Sequence, residues 1–162
     1  GYPNARVVLI RRIDERGFCF FTNTTSQKGE ELKTHPKAAI NFHWKTCKRQ
    51  IRVRGAVHKV SPDESDDYYA TRPLENRIGA WASFQSQILD HRDGLVARVA
   101  EFQERFGDAP PRPHHWGGYR LVPQSIEFWQ EGQGRLHHRL RYHMGDGAEG
   151  AEGGWRWVRL YP

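Results

Sequence analysis

Short runs of Val, Ile and aromatic residues separated by polar turns fill the first third of the chain and predict strands over residues 6–13, 18–23, 38–44 and 50–60. Between the second and third, Ser26-Gln27-Lys28-Gly29-Glu30-Glu31-Leu32 predicts a short helix. It must end before Pro36, because a proline bars helical backbone from the residue preceding it. The pattern then changes period. Ser61-Pro62-Asp63-Glu64 combines a serine cap, a proline at the first helical position and an acid three residues after the cap, which sets a helix running to about Thr71 and stopping at Pro73. A short helix over 76–83 and a longer one over 92–106 follow, the latter with Leu95, Val99, Phe102 and Phe106 at helical spacing as core positions. A proline-rich loop spans 107–115. Strands over 119–122, 125–129 with 135–142, and 155–160 close the chain, with a flexible glycine-rich hairpin loop over 145–154. Strands first, helices in the middle and strands last predict a mainly β (α+β) fold, an antiparallel barrel or curved sheet with helices packed outside it. No internal repeat interrupts this order.

The 162 residues suit a single domain over 1–162, long enough to bury a core without a metal or a disulfide. Cys19 and Cys47 both fall in apolar or aromatic strand-like contexts and read as reduced core or near-core thiols of a cytoplasmic protein. The longest apolar runs, such as Val7 to Ile10, are far too short to cross a bilayer, and no targeting signal opens the chain. The first five residues run straight into a strand without a start methionine, which reads as the remainder of a longer protein. The net charge of +6 invites a nucleic-acid partner. Against that, the basic residues are dispersed and interrupted by Asp63-Glu64 and Asp66-Asp67, so no nucleic-acid partner is expected; a small phosphorylated ligand or a solvated surface accounts for the charge equally well.

The most informative chemistry lies near the end. After Glu127-Phe128-Trp129-Gln130 and a glycine-flanked turn comes Arg135-Leu136-His137-His138-Arg139. As a strand, this segment places Arg135, His137 and Arg139 on one side, an imidazole between two cations, which suits an anionic ligand as well as it suits a solvated basic edge. The turn Thr22 to Lys28 offers hydroxyls, an amide, a lysine and the free backbone amides of a helix start, a combination fit for a phosphate or for simple capping. Arg6 and Arg11 bracket an apolar run and point to opposite faces of a regular strand unless a bulge intervenes. Tyr68 and Arg72, four apart, share one helix face and can grip a phosphate or stack on one another. The pairs His114-His115 and His137-His138 have no second-ligand spacing, so no metal is expected.

Taken in order, these motifs resemble the pyridoxamine (pyridoxine) 5′-phosphate oxidase family. The resemblance runs through Arg6-Val7-Val8-Leu9-Ile10, Gly17-Phe18, Thr22-Asn23, Ser26-x-Lys28, Arg49-Gln50, Arg72-Pro73 and Ile78-Gly79-Ala80-Trp81. It continues through Gln85-Ser86, Trp116-Gly117-Gly118-Tyr119, Glu127-Phe128-Trp129-Gln130, Arg135-Leu136-His137 and Arg139. It implies a homodimeric split β-barrel with FMN at the subunit interface and a dimerisation and active-site region over about 116–162. Members oxidise pyridoxamine or pyridoxine 5′-phosphate to pyridoxal 5′-phosphate with O2, yielding hydrogen peroxide; a sister flavin oxidase of the phenazine-biosynthesis type and a non-catalytic flavin carrier are the alternatives.

By the same resemblance Arg6, Arg11, Phe21, Thr22, Ser26, Gln27, Lys28 and Gln50 hold FMN, completed by Gln85, Ser86, Trp129 and Arg139 from the other subunit. The substrate phosphate falls to Arg11, Tyr68, Arg72 and Asn76, and the reacting ring to Arg135 and His137, with His137 hydrogen-bonding the substituent that loses hydride and taking a proton. Four positions depart from the family pattern: Arg11 replaces Lys, Gln27 replaces Arg, Asn76 replaces Ser, and His138 replaces the Asp after the active-site histidine. Gln27 removes a cation from the FMN phosphate site, and His138 reads as structural. The family's usual N-terminal segment does not precede Gly1 in this sequence, from which impaired activity is expected.

Overall fold

The computed structural model describes residues 2–145 and 154–162. Among these the order is β1 (Ile10–Asp14), β2 (Gly17–Asn23), α1 (Gln27–Thr34), β3 (Lys37–Trp44), β4 (Arg49–Lys59), α2 (Pro62–Ala70), α3 (Leu74–Ala82), α4 (Arg92–Phe106), β5 (Trp116–Gln130), β6 (His138–Met144) and β7 (Trp155–Leu160). The mainly antiparallel β architecture with helices between two sets of strands is the one expected. The chain divides into two compact units, Gly1–Pro36 with His58–Arg120, and Lys37–Val57 with Leu121–Pro162.

In the first unit β1 and β2 form an antiparallel hairpin with a register shift between Ile10 and Arg12, an irregularity at Arg11 of the kind that was one of the alternatives for Arg6 and Arg11. The chain before it is not strand, contrary to the expectation for 6–13. Residues 6–9 have no ladder partner among the described residues; Arg6 Nη1 instead donates to Glu31 Oε2 at 2.9 Å, and Asn4 donates to Glu31 Oε1. Helix α1 starts where the serine cap puts it, with Ser26 Oγ accepting from Gly29 N. Ser61 caps α2 in the same way, accepting from Glu64 N at 3.1 Å. Ile78, Ala82 and Phe102 pack with Leu74, Trp81, Leu95 and Phe106, tying α3 to α4, while Val99, expected in this core, is exposed.

In the second unit β3 pairs with β4 along its whole length, Lys37↔Ala56 to Trp44↔Arg49. β6 pairs with β5 from Ser125↔His143 to Gln130↔His138, and with β7 from Arg139↔Leu160 to Met144↔Trp155. β5 is one continuous strand through Pro123 rather than two, because the fixed φ of proline suits extended backbone and removes only one ladder donor. The strand expected over 135–142 begins only at His138, since a 3-10 turn at Gln133–Arg135 occupies the preceding residues. Cys19 is fully buried as expected, but Cys47 lies in the β3–β4 turn and is exposed, because the turn lifts it off the sheet. The glycine-rich loop expected over 145–154 lies, between its end residues, outside the described residues.

Arg120, almost fully buried, ties the β1–β2 hairpin to α2. Its Nη1 donates to Asp14 Oδ1 at 2.6 Å and its Nη2 to Glu64 Oε1, while Arg16 Nη2 donates to Asp14 Oδ2 at 2.9 Å. Hydrogen bonds from Arg16 and, against a smaller burial penalty, from Arg120 pull the Asp14 carboxyl down to about 2 from 3.8. A depressed folded-state value means that Asp14 stabilises the fold above about 3.8 and loses that contribution as pH falls through about 2. Thermal melts across this window should therefore show the unaltered protein losing Tm more steeply on acidification than Asp14→Asn; parallel curves would contradict the assignment.

Candidate active site

The first unit holds a cavity of about 320 Å³ lined by residues that include Phe21, Thr22, Arg72, Asn76, Gln85 and Trp116. One wall is aromatic. Phe21 stacks on Tyr68 at 4.1 Å between centroids and on Trp116 at 5.6 Å, and Arg11, at the bulge, lies 5.9 Å from the Tyr68 ring. Arg72 follows the end of α2, and its guanidinium sits 4.7 Å over Trp116 and 5.8 Å from Tyr69. Its Nη1 is buried with no hydrogen-bond partner, and among the described residues Arg72 forms no ion pair. Burial pushes its pKa down, only partly offset by Tyr68 and Tyr69. An orphaned, desolvated guanidinium nitrogen at the wall of a cavity is a site for an anion.

Beside this cavity, Lys28 is buried on the first turn of α1. Its Nζ donates to Thr22 Oγ1, to Ser26 Oγ at 3.1 Å and to Gln85 Oε1 at 3.1 Å, all neutral acceptors. Burial, and then the nearby Arg6 guanidinium, lower its pKa. A second buried cation thus stands at a helix start with no carboxylate bonded to it, which is the donor set a phosphate requires. Of the other residues expected here, Gln27 is exposed and does not line the cavity, Arg6 is engaged with Glu31, and Ser86 follows Gln85 in an exposed turn with φ +74°.

In the second unit Gln50, Trp129 and His138 line a largely aromatic cavity of about 360 Å³ with Trp44, Phe128 and Leu140. Arg135 and His137 are not on a strand, so the alternation that would gather Arg135, His137 and Arg139 on one face does not occur. The reason is local: a Cβ on Gly132 would lie 2.0 Å from Leu136 O, so glycine allows a tight turn, and both Gly134 (φ +63°) and Arg135 (φ +64°) take left-handed backbone that no strand accommodates. Arg135 is exposed rather than buried. His137 packs at a tilt against Trp129, 4.7 Å between ring centroids, and its Nδ1 accepts from Gly132 N at 3.3 Å. Arg139 alone is on β6, opposite Trp129, where its Nε donates to Glu127 Oε1 at 2.9 Å. Glu127 positions Arg139 in this unit, as Trp116 lies under Arg72 in the first; both stand in motifs that carry the family resemblance, but no individual part in the site was read for either. Among the described residues no cluster of His, Cys, Asp or Glu could hold a metal.

Fold and sites together define a mainly antiparallel β protein with buried cations beside an aromatic-walled cavity. Residues 1–106 match the family described as pyridoxamine 5′-phosphate oxidase, and residues 116–162 match the pyridoxine 5′-phosphate oxidase C-terminal dimerisation region. The chain belongs to the pyridoxamine 5′-phosphate oxidase family. It is 58% identical over 162 residues, all of this chain and 74% of the relative, to the pyridoxine/pyridoxamine 5′-phosphate oxidase 1 of Ralstonia nicotianae. Against the pyridoxine/pyridoxamine 5′-phosphate oxidase of Burkholderia cenocepacia it is 56% identical, with the same coverage. Among solved structures, PhzG from Burkholderia lata in complex with tetrahydrophenazine-1-carboxylic acid aligns with a TM-score of 0.89 at 34% identity, covering 98% of this chain and 75% of that one. A pyridoxamine 5′-phosphate oxidase-related, FMN-binding protein from Nostoc punctiforme shares the fold at a TM-score of 0.75 and 17% identity, covering 100% of this chain and 82% of its own. The fold is the split β-barrel with flanking helices that the sequence resemblance implied.

Gly118 is a sensitive point of the aromatic wall, because a Cβ there would lie 2.6 Å from both Phe21 Cε1 and Val60 Cγ2. Gly118→Ala should cost about 1–3 kcal/mol in urea denaturation and shift the near-ultraviolet dichroism of the Phe21–Tyr68–Trp116 stack. A variant as stable as the parent would contradict this packing.

Proposed function

We propose that this protein is an FMN-dependent oxidase converting pyridoxamine or pyridoxine 5′-phosphate to pyridoxal 5′-phosphate, with O2 as acceptor and hydrogen peroxide as product. The observation that carries the reading is the buried, unpartnered Arg72 nitrogen in an aromatic-walled cavity, in a chain more than half identical to named oxidases of this substrate pair. PhzG, at 34% identity, supports a phenazine-type reading less well, and a cation pocket closed over by aromatic rings suits a phosphate ester.

The donor sets fit the two phosphates this chemistry needs. Lys28, with Thr22 near the end of β2 and Ser26 at the α1 cap, would hold the FMN phosphate; Arg6, Gln27, Gln85 and Ser86 are assigned beside it by the resemblance, with Phe21 at the cavity wall and Arg11 near the Tyr68 ring. Gln50, Trp129 and Arg139 of the second unit are assigned to the cofactor by the resemblance. Arg72, Tyr68, Asn76 and Arg11 would take the substrate phosphate. FMN supplies hydride acceptance when bound. The protein's contribution is to bind, orient and donate. Arg135 forms no ion pair among the described residues and is available to the substrate ring. With Nδ1 accepting from Gly132, a neutral His137 carries its proton on Nε2 and therefore donates to the substituent that loses hydride. That arrangement favours an orienting donor over the proton acceptor suggested by sequence.

The reading extends to a homodimer built on residues 116–162, one oxidase domain over 1–162, and action in the cytoplasm. No described helix is long and apolar enough to cross a membrane.

Anaerobic addition of pyridoxamine 5′-phosphate to the FMN-loaded protein should bleach the flavin spectrum, and air should restore it with release of peroxide; a flavin that stays oxidised would exclude this substrate. Arg72→Ala should raise KM for the phosphorylated substrate at least about tenfold while leaving FMN bound, as loss of a charge-assisted bond predicts. His137→Ala should slow flavin reduction by about tenfold, or about 1.4 kcal/mol, with His137→Asn retaining part of the rate because it keeps an N–H donor. Equal loss in both variants would remove the donor assignment.

A further inference from the structure

We infer that Glu127 is a positioning residue whose buried carboxylate fixes the Arg139 guanidinium for the cofactor, an inference that rests on the FMN reading above. Glu127 lies on β5 with its side chain 8% exposed. Both oxygens are taken: Oε1 accepts from Arg139 Nε at 2.9 Å and Oε2 from Arg52 Nη2 at 2.6 Å. Arg139 Nη1 is fixed as well, donating to Tyr161 O at 2.8 Å. Two of the three guanidinium nitrogens are therefore committed to the protein, and among the described residues Nη2 is the one left to face a ligand.

The surroundings make the carboxylate necessary. Glu127 borders a small cavity of about 140 Å³ together with Arg52, Arg54, Arg139 and Arg141, and it is the one acid among its lining residues. Four guanidinium groups facing one space repel one another, and without the acid Arg139 would turn away from them towards water. Burial works against the charged form of Glu127, but hydrogen bonds from Arg139 and Arg52 outweigh it and hold its pKa below the usual carboxylate value. Glu127 does not need to touch the cofactor; it acts through Arg139, opposite Trp129 in the β5–β6 register.

The test is a double-mutant cycle read by FMN affinity, from quenching of flavin fluorescence on titrating FMN into flavin-stripped full-length protein. Arg139→Ala should raise the Kd about tenfold and Glu127→Gln about fivefold, as expected for loss of a charged hydrogen bond and of its support. The double variant should match Arg139→Ala within about twofold, because Glu127 has nothing left to position. A merely structural role would instead give multiplying effects, and that outcome overturns the inference, as does a Kd for both Glu127→Gln and Glu127→Asp within about twofold of the parent. Should Glu127→Gln not fold, Glu127→Asp takes its place in the cycle under the same criteria. Failure of the unaltered protein to bind FMN would overturn the cofactor reading itself, and the inference with it, whereas FMN binding lost in Arg139→Ala but multiplied in the cycle overturns the inference alone.

Discussion

Positive charge taken out of water without a carboxylate beside it is the condition on which the first unit is organised. Lys28 and Arg72 are both withdrawn from solvent, both have depressed pKa values caused first by burial, and neither forms an ion pair among the described residues. Such groups are costly, and the surrounding chain is arranged to make the cost tolerable. For Lys28 the arrangement is three neutral oxygens, two of them contributed within one turn by Thr22 and Ser26. For Arg72 it is the faces of Trp116 and Tyr69, which attract a cation without consuming its hydrogen-bonding edge. The two solutions differ, but each leaves the charge uncompensated for a ligand.

The second unit solves the opposite problem. Around its small arginine-lined cavity the acid is single, so the Glu127 carboxylate is shared between Arg52 and Arg139 instead of being withheld. The same contrast appears at Arg120 in the first unit, where Asp14 and Glu64 both meet one buried guanidinium. Arg120 is saturated and serves the fold. Arg72 keeps a buried nitrogen that no protein group meets. The number of acceptors around the guanidinium, more than its burial, is what distinguishes Arg120 from Arg72.

Much of this was legible in the sequence, because local rules decide it. The serine caps of α1 and α2, the proline stops and the helix over Arg92–Phe106 follow from backbone chemistry that needs no tertiary partner. The grouping of Thr22, Ser26 and Lys28 was visible for the same reason, since all three lie within one turn of chain. What was not legible depends on distant partners. Arg6 reads as the start of a strand, yet Glu31 holds it outside the ladder. Cys47 reads as near-core, yet a turn exposes it. The role of Trp116 under Arg72 joins residues 44 positions apart, and no spacing rule could have paired them.

The Arg135–His137 stretch fails as a strand for a reason rooted in its backbone. Among described non-glycine residues, positive φ occurs at Lys48, Ser86 and Arg135, and the last two are positions that the family resemblance assigns to cofactor and substrate. Left-handed backbone at a residue with a Cβ costs roughly 1 kcal/mol or more and persists only where surrounding contacts fix it. At Arg135 those contacts are the Leu136 N to Gln133 O and His137 N to Arg135 O bonds of the turn, and the Gly132 N to His137 Nδ1 bond that closes it. A strand would have spread Arg135 and His137 along an edge. The strained turn instead leaves Arg135 exposed off the sheet while the His137 ring packs against Trp129, so an exposed side chain and a packed one lie within three residues. Alternation of charges along a strand was the wrong geometry for Arg135 and His137, because positive φ at Gly134 and Arg135 makes this stretch a turn.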